Sequence, residues 1–137
     1  MKTHTLAMVG FGGMAGWHYD LIEKIDDLTV AGIWDIKEER REYARSRGIH
    51  VYESQEDLLA DENVDIVLVA TPNDVHKSIA IAAMAAGKNV VSEKPVTLCS
   101  TDLAEMIDAS QKYGRFLTVH QNRRWDEDFL TVKKVLE

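Results

Sequence analysis

The feature that most constrains the fold is a regular alternation of short apolar runs with helix-like segments. Six runs indicate buried strands: TLAMVG, LTVAGIWD, IHVY, DIVLVAT, NVVSEK and RFLTVH. Parallel neighbours need crossover connections, so this rhythm predicts an α/β fold with a doubly wound parallel sheet in the order 3-2-1-4-5-6. Ligands of such sheets bind at the carboxyl ends of the strands, where unusual residues also gather in this sequence.

Capping residues and apolar spacing predict where the intervening helices begin and which side faces inward. Ser54 and Asp57 have the spacing of a capping box, and Asn73 is a good N-cap for the segment DVHKSIAIAAMAAG. The first helix, AGWHYDLIEKI, is predicted to pack through one apolar face that consists of Trp17, Leu21, Ile22 and Ile25.

Composition excludes several classes of protein. The 137 residues suit one compact domain, and 16 basic against 23 acidic residues give a net charge of −7. Nucleic-acid binding needs a basic surface, so no nucleic-acid partner is expected. The N-terminal apolar run is too short to span a membrane, and the one cysteine fits a reducing cytoplasm.

The stretch GFGGMAG at residues 10–16 follows the first strand and opens the first helix. Its spacing, G-x-G-x-x-A, is that of a dinucleotide fingerprint: Gly10 allows a tight turn, Gly12 admits a pyrophosphate, and Ala15 permits close packing. A plain glycine-rich turn is the alternative reading. The candidate cofactor contacts in this stretch are Gly10, Phe11, Gly12, Gly13 and Met14.

Asp35 ends the second strand, about 20 residues beyond the glycines, as the fingerprint requires. Its carboxylate would accept the ribose hydroxyls of NAD and repel a 2′-phosphate. A helix N-cap is the alternative role. Lys37, Arg40 and Arg41 follow closely and could recruit the phosphate of NADP, so NAD is predicted with NADP left open.

Two further strand ends carry unusual residues. ATPNDVH ends the fourth strand, where Pro72 fixes a turn and His76 falls in the first helical turn, its side chain directed back toward the strand ends. Taken alone, His76 is a helix-start histidine. SEKP ends the fifth strand, and Lys94 beside Glu93 is a surface ion pair unless the strand end makes it functional.

Together, GFGGMAGWH, ATPNDVH and EKP resemble the Gfo/Idh/MocA oxidoreductases, and the match runs through essentially the whole chain as that family's N-terminal half. His18 matches a recurrent family histidine, and HQNRRW resembles the stretch after the sixth strand, with Trp125 in place of the usual phenylalanine. The resemblance implies further cofactor contacts at Ala70, Thr71, Pro72, Asn73, His76, Glu93, Lys94 and Asn122. No residue is predicted to bind a metal.

The resemblance also implies a function. The family's enzymes transfer a hydride between NAD(P) and a hydroxyl carbon of a sugar, polyol or inositol, and Lys94 would be catalytic by hydrogen bonding the reacting hydroxyl. Glu93 would hold the loop and Pro95 would fix its direction. An NAD(P)-binding sensor or transcriptional co-regulator on the same fold, and an NAD-dependent glycosidase, remain alternatives.

The same resemblance implies a domain organisation. Residues 1–122 are predicted to form the dinucleotide-binding Rossmann domain, and residues 123–137 to begin the connection to a C-terminal substrate domain. The last segment, DEDFLTVKKVLE, should expose an apolar stripe through Phe129, Val132 and Leu136. Such a stripe tends to find a partner, so the expected protein is a homo-oligomer of the cytoplasm.

Overall fold

The computed structural model describes residues 3–137. The strands are β1 His4–Val9, β2 Leu28–Trp34, β3 Ile66–Val69, β4 Asn89–Ser92 and β5 Leu117–Val119. The helices are α1 Gly13–Ile22, α2 Glu38–Ser46, α3 Gln55–Ala60, α4 His76–Ala85, α5 Ser100–Tyr113 and α6 Glu127–Leu136, with 3₁₀ turns at Asn73–Val75 and Asn122–Trp125. None of these helices has the length and apolar content that a membrane span requires.

All five strands are parallel and lie in the order β2-β1-β3-β4-β5. The predicted parallel α/β sheet is therefore confirmed, but it has five strands instead of six: the third predicted strand is missing, and the other five keep the predicted order. The segment IHVY contributes only an isolated bridge, in which Val51 lies beside Ile33 of β2. Only five residues lie between Gly48, which follows α2, and Ser54, which caps α3, so little chain is left for a longer pairing.

The sheet is covered on both faces, as a parallel sheet must be. Alternate residues of the central strands point to opposite sides, so Val67 and Val69 pack with Met84 and Met106 of α4 and α5. The other face of the sheet packs against a second buried cluster, which contains Met8, Phe11, Ala15, Ala44 and Leu68. The two faces together form the core that holds the strand ends in place.

Of the two helix N-caps predicted from the sequence, the structure confirms one and contradicts the other. Ser54 caps α3, because its Oγ accepts a hydrogen bond from the Asp57 amide at 3.0 Å. The predicted N-cap at Asn73 is wrong: the residue opens a 3₁₀ turn, its side chain makes no capping bond, and α4 begins at His76. The proline-led turn delays the α-helix by one short turn.

The outer surfaces of α1 and α6 are more apolar than their packing requires. On α1, Ile22 is buried as predicted, but Trp17 and Leu21 are exposed, because the helix contacts the sheet through Ala15 and Ile22 instead. The predicted helix also extended to Ile25, which lies beyond the end of α1 and is exposed. No residue of α6 is buried, and its apolar side chains face outward. The predicted exposed stripe on this helix is therefore present.

Candidate dinucleotide site and the Lys94 loop

Two glycines shape the turn between β1 and α1 in different ways. Gly10 has φ +90°, and a Cβ atom there would lie 2.5 Å from the Ala70 carbonyl oxygen, so only glycine lets the ends of β1 and β3 approach this closely. Gly12 has ordinary backbone angles, and a Cβ atom there would meet no protein atom within 4 Å. The space above Gly12 is therefore open to a ligand.

The N-terminus of α1 is arranged for an anion. Gly12 is the N-cap, no side chain caps the helix, and no acidic residue lies in the first turn. The free N–H groups and the positive end of the helix dipole favour a phosphate here. Gly13 and Met14 are the first two residues of the helix, and the Met14 side chain is partly exposed.

Only the backbone of Phe11 is available for contact with a ligand, because its side chain is buried. Its side chain is 1% exposed and packs edge-on against Tyr19 in the core. Its amide donates a hydrogen bond of 2.7 Å to Oδ2 of Asp35. The predicted cofactor contact at Phe11 is thus restricted to main-chain atoms, while the ring anchors the glycine turn.

Asp35 is buried at the end of β2 and uses both carboxylate oxygens on the backbone. Oδ2 accepts from the Phe11 amide, and Oδ1 accepts from the Lys37 amide at 2.8 Å. Each oxygen keeps a second lone pair for a ligand hydroxyl. Arg41 is engaged elsewhere, with the Asp35 carbonyl and with Glu38, which leaves Lys37 and Arg40 as the cations nearest the open side.

A cleft of about 560 Å³, hereafter the cofactor cleft, opens between the glycine turn and the ends of β2 and β3. Its size suits a small ligand or part of a cofactor. Thr71, which lines the cleft, carries a buried Oγ1 with no hydrogen-bond partner among the described residues, whereas buried hydroxyls are usually paired. The cleft is lined by Gly10, Gly12, Trp34, Asp35, Ile36, Lys37, Arg40, Gln55, Ala70, Thr71, Pro72, Asp74, Val75, Ser78 and Ile79.

His76 is completely buried and does not line the cofactor cleft. Its Nε2 lies 2.9 Å from the Thr71 carbonyl oxygen, and its Nδ1 lies 3.1 Å from that of Pro95. The ring therefore ties the loop after β3 to the loop after β4. The predicted direction of the side chain, toward the strand ends, is confirmed, and neighbouring Asn73 is exposed outside the cleft.

The second functional region is the loop after β4, residues 92–96, hereafter the Lys94 loop. Glu93 is 5% exposed. Its Oε1 accepts hydrogen bonds from Nε2 of His18 at 2.6 Å and from Nδ1 of His120 at 2.9 Å, while Oε2 accepts from the Lys94 amide at 3.1 Å. Burial alone would raise the pKa of Glu93, but these three hydrogen bonds outweigh it and hold the pKa below its ordinary value.

The side chain of Lys94 itself points away from this buried anchor. Its backbone is fixed through Glu93, yet the residue is exposed, and its ammonium makes no hydrogen bond within residues 3–137. No described segment of the chain covers it. Asn122 lies beyond β5 at the start of a 3₁₀ turn, half-buried and outside the cofactor cleft.

Sequence reasoning missed the convergence of His18 and His120 on Glu93. The three side chains come from α1, from the end of β4 and from the residue after β5, so no local spacing announces them. The strand-end rule could have found them, since Glu93 and His120 both follow strands that are neighbours in the sheet.

Comparison with known proteins matches residues 4–121 to the family model GFO_IDH_MocA, described as an oxidoreductase family with an NAD-binding Rossmann fold. The myo-inositol 2-dehydrogenase of Thermotoga maritima is 33% identical over 134 residues, which cover 96% of this chain and 40% of that protein. The scyllo-inositol 2-dehydrogenase (NADP(+)) IolW of Bacillus subtilis is 31% identical over 140 residues, which cover 99% of this chain and 38% of that protein.

A solved structure extends the similarity to three dimensions. An NAD-binding protein from Listeria innocua superposes with a TM-score of 0.95 at 51% sequence identity, over 98% of this chain and 40% of that one. The chain thus spans about two fifths of the length of these relatives. On the family match and the shared fold, the chain belongs to the Gfo/Idh/MocA oxidoreductases and forms an NAD-binding Rossmann domain.

Proposed function

We propose that this chain is the cofactor-binding part of an NAD-dependent dehydrogenase that acts on a hydroxyl carbon of a sugar, polyol or inositol. The observation that carries the proposal is a cleft with three matched features: open space over Gly12, a buried carboxylate at Asp35, and an unpartnered hydroxyl at Thr71. The inositol dehydrogenases among the relatives support the substrate class.

The proposed contacts divide along the length of the dinucleotide. The amides of Gly12, Gly13 and Met14 at the start of α1 would hold the pyrophosphate. Asp35 would accept the ribose hydroxyls through its free lone pairs. The remaining proposed contacts are Gly10, the Phe11 backbone, Ala70, Thr71 and Pro72 at the cleft, Asn73 beside it, and Lys94 and Asn122 toward the reacting end. The buried His76 and Glu93 would contribute there through the loops that they hold.

The proposed preference is for NAD, with NADP as the competing cofactor. Asp35 places a buried negative charge beside the ribose site, which would repel a 2′-phosphate. Lys37 and Arg40 line the same cleft and would attract it. Since the Asp35 carboxylate is fixed by two backbone amides whereas the two cations extend from the rim, the carboxylate should dominate.

Bound NAD supplies the hydride acceptor, and the protein supplies position and electrostatics. Lys94 is proposed to hydrogen-bond the reacting hydroxyl and assist its proton transfer, since an ammonium is a compact donor. Glu93 anchors the loop through its hydrogen bonds with His18 and His120, and the Pro95 carbonyl anchors it through His76. The Lys94 backbone is therefore fixed, while its side chain is free to contact a substrate.

Residues 123–137 are proposed to lead toward the domain that completes the substrate site. The exposed apolar residues of α6 would pack there or against a second copy, and a homo-oligomer of the cytoplasm remains our proposal for the whole protein. Sedimentation velocity of the 137-residue chain checks the second possibility: we expect a dimer, and a monomer at high concentration would contradict it.

The test of the dehydrogenase function is a substrate panel. The protein that contains this domain together with its remaining residues should reduce NAD in the presence of an inositol, polyol or sugar, measured as NADH absorbance. The same protein with Lys94→Ala should lose turnover while it still binds NAD. Binding of NAD without turnover of any panel member, in a protein that instead changes the affinity of a regulatory partner, would favour the sensor.

A further inference from the structure

His18, Glu93 and His120, hereafter the His–Glu–His cluster, bring three donor atoms within 4.8 Å of one another. The atoms are Nε2 of His18, Oε1 of Glu93 and Nδ1 of His120. The cluster lies at the carboxyl edge of the sheet, outside the cofactor cleft. Two imidazoles and one carboxylate form a ligand set that transition-metal ions of the zinc type prefer.

The imidazoles meet the carboxylate in an arrangement that one shared cation would also satisfy. Both rings converge on one oxygen, Oε1, while Oε2 is fixed by the Lys94 amide. Neither Nδ1 of His18 nor Nε2 of His120 has a hydrogen-bond partner within residues 3–137. Each ring can therefore carry its proton on the outer nitrogen and turn an unprotonated nitrogen inward, as metal binding requires.

We propose that the His–Glu–His cluster binds one divalent cation of the zinc type through these three atoms. Ligand bonds of about 2.0–2.2 Å in tetrahedral geometry separate neighbouring ligand atoms by about 3.4 Å. The present separations of 2.6 and 2.9 Å must therefore widen when the inward protons are replaced by the ion. Three protein ligands leave a coordination position for water.

The surroundings of the cluster admit a small ion. The side chain of Glu93 is 7% exposed and that of His18 12%, whereas that of His120 is 24% exposed and provides the open side. The indole of Trp17 lies 5.3 Å from the His18 ring and 6.3 Å from the His120 ring, measured between centroids. It forms an apolar wall that would lower local solvation and strengthen the ion's interaction with Glu93.

The proposal is tested on the 137-residue chain, stripped with chelator, by titration with Co²⁺ followed by absorption spectroscopy and with Zn²⁺ followed by calorimetry. We expect one ion per chain and a visible absorption band from bound Co²⁺. His18→Ala and His120→Ala should each weaken binding by at least about tenfold, since even outer partners of metal ligands are worth that much. Zn²⁺ should also raise the Tm of the wild type but not of the variants.

His4→Ala is the matched control, because His4 lies 3.7 Å from Asp65 at the opposite end of the sheet and forms a pair with only one imidazole. It should bind metal as the wild type does. If either histidine variant fails to fold, Glu93→Gln replaces it: this variant keeps the side-chain shape and should also weaken metal binding by at least about tenfold. Absence of metal binding in the folded wild type, or equal affinity in wild type and folded His120→Ala, would overturn the proposal and leave a purely hydrogen-bonded clamp. NAD binding by the metal-free chain is measured separately, so a failure of the metal proposal can be distinguished from a failure of the proposed function.

Discussion

The cofactor cleft and the Lys94 loop lie at the same edge of the sheet but are built differently. The walls of the cleft are held in place by contacts within the chain: Gly10 packs against the Ala70 carbonyl, and Asp35 accepts hydrogen bonds from two amides. The Lys94 loop is anchored on its buried side only, through the Glu93 side chain and the Pro95 carbonyl, while the Lys94 ammonium is exposed without a partner in residues 3–137.

This difference separates binding from chemistry. A dinucleotide can be held by groups that the domain positions itself, so binding should be a property of this chain. Proton transfer by Lys94 needs a substrate oriented above the loop and water excluded, and no described residue provides that cover. The comparison therefore predicts that substitutions in one region change affinity and that those in the other change turnover.

The largest expected effect is at Lys94. In the protein that contains this domain together with its remaining residues, Lys94→Ala should lower kcat by roughly 10²–10⁴-fold, the usual contribution of general acid–base assistance, with a far smaller change in NAD affinity. Lys112→Ala, an exposed lysine of α5, is the matched control. Unchanged turnover in Lys94→Ala would make Lys94 a surface lysine.

Gly10 should affect both regions, because it sets the distance between the ends of β1 and β3. An alanine there meets the Ala70 carbonyl and requires φ +90°, so urea unfolding should show a loss of about 3 kcal/mol. Gly12→Ala provides the comparison, since its methyl group faces open space: stability should change little while NAD affinity falls. Equal stability of the two variants would contradict the close approach.

Sequence alone predicted the cleft well and the loop partly, for a physical reason. The turn at Gly10 and the carboxylate at Asp35 belong to one local unit, strand, turn and helix, whose spacing can be read along the chain. The His18 and His120 contacts with Glu93 depend on how distant segments fold together, and no local pattern carries that information. Likewise, the apolar run IHVY could not distinguish a full strand from a single bridge.

Asp35 should control cofactor choice with a smaller effect. Asp35→Asn keeps an oxygen acceptor for a backbone amide and removes the charge, so the preference for NAD over NADP should fall by about tenfold, equivalent to 1.4 kcal/mol. Calorimetric titration with both cofactors measures the ratio. Arg40→Ala should change the ratio in the opposite direction, and a tighter NADP than NAD in the wild type would reverse the assignment.

The smallest predicted effect concerns Tyr52, the residue that follows the Val51 bridge. The Tyr52 hydroxyl donates a hydrogen bond of 2.7 Å to Asp61, and this bond, with that from the Asn63 amide, holds the pKa of Asp61 below its ordinary value. The resulting stability is present above the unfolded-state pKa of the carboxyl and is lost as pH falls through the lowered folded-state value. Tyr52→Phe should remove less than about 1 kcal/mol at neutral pH and clearly less in strong acid, measured by urea unfolding. A loss of the same size in acid would exclude the ionised carboxylate as its source.

The most direct test of the separation between the two regions is calorimetric titration of NAD into the 137-residue chain and two of its variants. We predict one NAD per chain, a marked loss of affinity in Gly12→Ala, and near wild-type affinity in Lys94→Ala. A folded wild-type chain that binds no NAD, or a loss in Lys94→Ala as large as that in Gly12→Ala, would contradict the account.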